Sequence, residues 1–230
     1  MKTISFSGID GAGKSTQIQR LCASLEQIGL RVRIVCFWDH VATLTRFRES
    51  AGHAVFGGDI GIGSPEAPIC RRDKNVRSWF MTAVRLMLYS FDALSLRLVI
   101  KRAQSSGADL LIFDRFTYDE LANLELHRWA MRTYARALIG FVPKPDVSYL
   151  LDADPAAARA RKPEYPLEFL DFNRKSYLAL NTIAPRFQII APMTVEEAEK
   201  AILARAIDAL SLATAQNIDA LGAQQASLVR

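Results

Sequence analysis

The chain has 230 residues, 50% of them apolar and 23% charged, with a formal net charge of +5. That is the composition of an ordinary globular protein, long enough for one substantial domain around a single core. The modest basic excess favours anionic partners, but without a long Lys/Arg run it does not point to a nucleic-acid polymer, and no apolar stretch approaches the roughly 20 residues of a membrane span.

In chain order, Ile4–Ser5–Phe6 starts a short apolar run that stops at Gly8 and predicts a buried first strand. The run enters a glycine-rich motif so early that no cleavable leader is expected, and cytoplasm is the default compartment. Ile18, Leu21, Cys22, Leu25 and Ile28 then recur at helical spacing, and Gly29 ends that helix. Arg31–Phe37 has the β-branched character of a second strand. Residues 51–75 carry five glycines and two prolines and predict a long surface segment of the kind that tends to be functional or mobile. In it Arg71, Arg72 and Lys74 read as a solvated charge cluster.

Val76–Ser105 predicts a long helix. Its apolar stripe of Trp79, Phe80, Ala83, Leu86, Met87, Phe91, Leu94 and Leu98 is expected in the core, on a dimer face, or both. Asp109–Asp114 is a continuous apolar strand with a carboxylate at its carboxyl end. A helix over Tyr118–Ile139 follows, then strands at Asp146–Asp152 and Phe187–Ala191. Helical stretches at Ala156–Arg161 and Phe169–Leu180 lie between them, and Glu196–Leu210 is the last helix. Cys22, Cys36 and Cys70 lack CxxC spacing and read as reduced structural thiols, and the three histidines show no metal-ligand spacing. Alternating strands and helices predict an α/β domain over residues 1–212 with a mostly parallel five-stranded sheet covered on both faces, followed by a weakly patterned tail at 213–230.

Gly8-Ile9-Asp10-Gly11-Ala12-Gly13-Lys14-Ser15 fits GxxxxGK[ST] in full, the phosphate-binding P-loop. The glycines let the backbone curl until successive N–H groups face phosphate oxygens. Lys14 adds a compact positive charge toward the β- and γ-phosphates, and the following helix, starting near Ser15 and Thr16, presents its amino end to the same anion. The Ser15 hydroxyl is a ligand candidate for Mg²⁺. A chance match in a chain of this size occurs about once in a hundred, and the flanking strand and helix lower that further. A switch GTPase would need a base-reading Asn/Thr-Lys-x-Asp element, which is missing. The reading is therefore transfer of a terminal phosphoryl group to a small acceptor.

The segment from Ile4 to Gln17 resembles the opening of a thymidylate kinase. Asp114-Arg115-Phe116 is similar to that family's Asp-Arg-Tyr/His element, Ser148–Asp152 with Pro155 and Arg159 to the strand leading into its lid, and Phe187–Ala191 with Val195-Glu196-Glu197 to its closing strand and helix. The resemblance implies a three-layer P-loop kinase fold with a short lid at about 155–168, ATP and Mg²⁺ as donor and cofactor, and a homodimer. It places Asp10 near the acceptor's sugar and Asp114 on Mg²⁺. Arg115 would grip the acceptor phosphate, and Arg159 and Arg161 would serve as lid arginines that neutralise the transferring group.

Three stretches depart from the family pattern. Phe37-Trp38-Asp39-His40 stands where Thr-Arg-Glu-Pro is usual, with no arginine before Arg46. Asp92-Ala93-Leu94-Ser95 replaces an Asp-Arg-Ala-Gln-like element, and the lid is shorter by roughly two helical turns. Two further readings stay open beside transfer to a nucleoside monophosphate. One is a kinase for a deoxynucleoside or another small hydroxyl compound, with Asp39 as general base, because a hydroxyl must lose a proton and a phosphate need not. The other is a P-loop binding or regulatory protein with little turnover.

Overall fold

The computed structural model describes residues 1–43, 79–105, 107–183 and 187–210. The expectations for 51–75, for Cys70 and for the tail from 213 lie outside the described residues. The elements run β1 (Lys2–Ser7), α1 (Lys14–Gln27), β2 (Val32–Cys36), α2 (Phe37–His40), α3 (Trp79–Gln104), β3 (Leu110–Asp114) and α4 (Thr117–Leu121). They continue with α5 (Trp129–Phe141), β4 (Val147–Leu151), α6 (Pro155–Arg161), α7 (Leu167–Leu180) and β5 (Phe187–Ile190), and end with a helix, α8, over 195–210.

The five strands form one sheet in the order β2-β3-β1-β4-β5, and every pairing is parallel. A parallel sheet is covered on both faces, which is why its strands read as unbroken apolar runs. Along β3, Leu110 and Ile112 face one way, into a cluster with Ile18, Leu21 and Leu25 of α1 and Ala198, Ile202 and Ala206 of α8. Leu111 and Phe113 face the other, into a larger cluster with Tyr89, Ala93, Leu96 and Ile100 of α3 and Phe169, Leu170 and Tyr177 of α7. The three-layer α/β architecture expected from the sequence is the one observed.

Two elements differ from the sequence reading. The stretch 117–141 is two helices, not one. Leu124 and Leu126 are both buried, and this alternation by two pulls the intervening chain inward where a helix would turn one of them out. On α3 most of the stripe lies outside the core: Phe80, Met87, Phe91, Leu94 and Leu98 are about half exposed and Trp79 more so, while Leu86 packs against the core. The buried face holds Tyr89, Asp92, Ala93, Leu96, Ile100 and Ala103. Both faces are apolar, so periodicity gave no direction. Cys22 is buried and Cys36 partly so, and both are free thiols.

Asp146 fastens the start of the sheet, accepting from the Thr3 backbone N–H at 2.8 Å, the Thr3 hydroxyl at 3.0 Å and Lys2 Nζ at 2.7 Å. The Thr194 hydroxyl and Glu197 cap α8 reciprocally. The Arg20 guanidinium reaches Glu199 at 2.6 Å, holding α8 to α1. Ile202→Ala should therefore cost about 2–5 kcal/mol in denaturant unfolding, whereas Ile207→Ala, on the exposed side of the same helix, should stay within about 1 kcal/mol.

Candidate functional site

The parallel register sets Phe6 of β1 opposite Asp114 of β3. The loop starting at Gly8 and the Asp114–Arg115 pair therefore leave the sheet side by side at its carboxyl edge, where open α/β sheets bind ligands. Gly8, Gly11 and Gly13 all have positive φ, at 143°, 80° and 87°. At two of them space forbids a side chain as well. A Cβ on Gly8 would stand 2.5 Å from the Leu151 carbonyl oxygen, and one on Gly11 2.2 Å from that of Ala158. Leu151 ends β4 and Ala158 lies on α6, so the loop is seated against the end of that strand and against that helix.

Around Gly13 the surroundings are open, with nothing within 4 Å of where a Cβ would be. Gly13 is the N-cap of α1 and supplies no side-chain cap, and the first turn has no acidic residue. The amide groups that open this 14-residue helix thus lack side-chain acceptors, an arrangement suited to a phosphate. Ser15 and Thr16 are exposed there. Lys14 is buried, and its Nζ donates to the carbonyls of Gly8 at 2.8 Å and Ile9 at 2.9 Å. Burial, and secondarily the Arg115 charge, lower the Lys14 pKa to about 8.

Arg115 is the one non-glycine residue with positive φ among the described residues, at 70°. A side chain in that region is strained, and its backbone is anchored by an N–H bond to the Phe6 carbonyl at 3.0 Å. Its guanidinium pairs with the Asp10 carboxylate and lies 3.5 Å from Asp119. Burial alone would lower the Arg115 pKa, but the Asp10 and Asp119 charges outweigh it and hold the group above its ordinary value. Asp114 shifts upward because burial outweighs the pull of Arg115 and Lys14, so its anion is under-compensated as it stands. A half-buried carboxylate of that kind fits a hard divalent cation.

The sequence reading left out Asp119 and Tyr177. Asp119 accepts hydrogen bonds from Ser7 Oγ at 2.7 Å, the Phe116 N–H at 3.0 Å and the Tyr177 hydroxyl at 2.8 Å. Its position four residues after Arg115 on a helical stretch was the available signal. Arg174 and Asp152 were also missed. They form a two-pronged pair at 2.7 and 2.8 Å that ties α7 to the end of β4, just before Asp154 caps α6 through the Ala157 N–H at 2.9 Å.

The remaining expected residues are dispersed around this centre. Arg159 is partly buried and Arg161 exposed on α6, and neither forms an ion pair or hydrogen bond among the described residues. Asp39 is exposed on α2, next to Cys36, whose thiol is pushed up by burial and by the Asp39 carboxylate. Cys36 is the register partner of Asp114, which puts Asp39 on the same edge of the sheet. Asp92 has turned into the core, where it accepts from the Thr43 N–H at 2.6 Å and the Thr43 hydroxyl at 2.7 Å, and Ala93 beside it is fully buried.

The Lys14 shift makes binding pH-dependent. Above about pH 8 the amine is largely neutral, and an arriving polyphosphate favours its charged form. Nucleotide binding at pH 9 should therefore take up close to one proton, and binding at pH 6.5 almost none, as read by calorimetry in buffers of different ionisation enthalpy.

No family model matches the chain. Several curated thymidylate kinases do match. One from Bifidobacterium longum is 29% identical over 212 residues, covering 86% of this chain and 94% of its own length. One from Solidesulfovibrio magneticus is 30% identical over 222 residues, covering 85% and 95%. Another, from Xanthomonas oryzae pv. oryzae, is 29% identical over 163 residues, 69% of this chain and 59% of its own. With that extent of similarity laid over a phosphate loop set beside an Asp-Arg pair on a parallel sheet, the chain belongs to the thymidylate kinase family and is a nucleotide kinase.

Proposed function

We propose that this chain is a single P-loop kinase domain over 1–212 that transfers the γ-phosphoryl group of ATP to a nucleoside monophosphate, with thymidine monophosphate as the first acceptor to test. The observation that carries this is the register that sets Gly8–Ser15 next to Asp114–Arg115, donor loop against acceptor arginine. The relatives' names support the acceptor class.

In this reading the amides of Gly11, Ala12, Gly13, Lys14, Ser15 and Thr16 cradle the donor phosphates. Ser15 and Asp114 hold Mg²⁺, which when bound would neutralise charge on the transferring phosphates. Asp10 meets the acceptor's sugar and Arg115 its phosphate. Arg115 has five N–H donors and spends two directions on Asp10 and Asp119, leaving others for an anion. Lys14, with Arg159 and Arg161 of the lid at about 155–168, stabilises the charge that develops during transfer. These two arginines suit that role because neither is committed to a carboxylate among the described residues. Family membership and the absence of a spanning helix among the described residues support a cytoplasmic, water-borne enzyme.

A second reading keeps Asp39 as general base for a hydroxyl acceptor. What favours it is the placement of an exposed carboxylate on the edge that carries Asp114. The two readings separate in a screen of nucleosides and monophosphates for ADP release. Transfer to a monophosphate that survives Asp39→Asn within about twofold supports the first. Transfer to a nucleoside that falls by roughly 10²-fold or more in the same variant supports the second. Lys14→Ala should remove turnover by at least about 10³-fold while circular dichroism stays unchanged. A wild-type chain that binds ATP and turns over nothing would leave only the binding-protein reading.

The outward face of α3 supports a homodimer. Met87, Phe91, Leu94 and Leu98 recur at intervals of four, three and four, a narrow apolar seam on one helix side. A second copy of the same helix across a two-fold axis is the occupant such a self-matching stripe fits. Phe91→Glu should shift the chain from dimer to monomer in sedimentation velocity, and a wild-type monomer at tens of micromolar would refute the dimer.

A further inference from the structure

Asp119 stands apart from the other carboxylates of the site. It is 3% exposed, so it does not face an arriving substrate. Its two oxygens are filled from four directions. Oδ2 accepts from Ser7 Oγ and the Phe116 N–H, and Oδ1 accepts from the Tyr177 hydroxyl with Arg115 Nη1 alongside at 3.5 Å. A carboxylate offers about four acceptor positions, so none is spare.

The partners belong to the elements that carry the proposed reaction. Ser7 ends β1 and leads into the phosphate loop. Phe116 directly follows Arg115, and Tyr177 sits on α7, the helix into which the lid segment runs. Tyr177 is itself buried, and burial together with Asp119 raises its pKa well above the ordinary range, so it remains a hydroxyl donor. Three neutral donors thus fix the carboxylate in place, and the fixed carboxylate offers its charge to one flexible cation.

We propose that Asp119 is a positioning residue. Held by Ser7, Phe116 and Tyr177, it clamps the Arg115 guanidinium against Asp10 in the orientation that meets the acceptor, and it links that orientation to the helix behind the lid. The inference rests on the phosphoryl-transfer reading above. Arg115 needs such a clamp because its backbone occupies a left-handed conformation at a strand end, from which a long side chain has many alternative directions. With Asp10 on one side and Asp119 on the other, the guanidinium plane is fixed at two points.

The test combines kinetics with a measurement that needs no turnover. Asp119→Asn should raise the acceptor KM by about tenfold or more and lower kcat, with the ATP KM within about twofold. In an Arg115→Ala background, Asp119→Asn should have no further effect on the acceptor terms, because a residue acting through Arg115 has nothing left to position. Additive effects in that cycle would overturn the proposal.

Independently, the Arg115 Nη–H resonances, identified by their loss in Arg115→Lys, should be separately resolved in the wild-type chain through restricted rotation. They should collapse in Asp119→Asn, and unchanged signals would overturn the proposal. Should Asp119→Asn fail to fold, Tyr177→Phe keeps both ring and carboxylate. It should raise the acceptor KM by about threefold and broaden the same resonances, and no change in either would again overturn it. If the wild-type chain phosphorylates no acceptor, the proposed function falls, while the resonance experiment still decides the role of Asp119.

Discussion

The pairing of β1 with β3 is the constraint on which the site depends. Each strand alone carries half of the chemistry: β1 delivers the phosphate loop and β3 delivers Asp114 and Arg115. Only a parallel arrangement puts both carboxyl ends on one edge, and only the register with Phe6 opposite Asp114 puts them level. A slip of one residue would turn Leu111 and Phe113 to the wrong face and separate the two halves of the site together. Core packing and site geometry are therefore one specification. The Arg115 N–H bond to the Phe6 carbonyl extends the ladder by one step beyond the strand, so the strained arginine is held by the same hydrogen-bonding system as the sheet.

The glycine-rich loop was legible in the sequence because its requirements are local. Glycines at 8, 11 and 13 answer to positive φ and close backbone approach, which are properties of single positions, and Lys14 and Ser15 follow at fixed offsets. The strands were legible too, since a doubly covered sheet writes itself as short apolar runs. What stayed hidden depends on partners distant in the chain. Asp119 looks like one carboxylate among many until Tyr177, 58 residues on, donates to it. Arg174 and Asp152 meet across 22 residues. On α3 the difficulty was of another kind. Apolar residues surround the helix, so the pattern predicts a helix well and its buried side poorly.

Two of the family departures acquire a physical sense from the fold. In the stretch Asp92–Ser95, Asp92 binds Thr43 from within the core, and Ala93 packs there with no surface at all. An arginine at that position would have to be accommodated in a fully buried slot against Tyr89 and Leu96, so the site is closed to it on grounds of volume and charge. After β2 a short helix starts at the fully buried Phe37, and Trp38, which stands at the family pattern's arginine, is partly buried against the same core. In the proposed function, acceptor recognition among the described residues then leans on Arg115.

That dependence sharpens an electrostatic problem. At the centre of the site three carboxylates, Asp10, Asp114 and Asp119, stand against two cations, Lys14 and Arg115, and the Arg115 charge is already shared between two of the acids. Such a set repels polyanions unless more positive charge arrives. The helix α1 amide groups provide part of it, and a divalent cation on the under-compensated Asp114 would provide more. In the proposed function the rest would come from α6, which abuts the loop at Gly11 and carries Arg159 and Arg161, whose side chains have no partner among the described residues. An arginine already paired to a carboxylate would have to break that pair before it could serve a phosphate. Leaving these two uncommitted at the rim while Arg115 is clamped at the centre divides the work. In the proposed function the inner guanidinium would supply direction, and the outer ones charge that counts only when a phosphate lies between them and the loop.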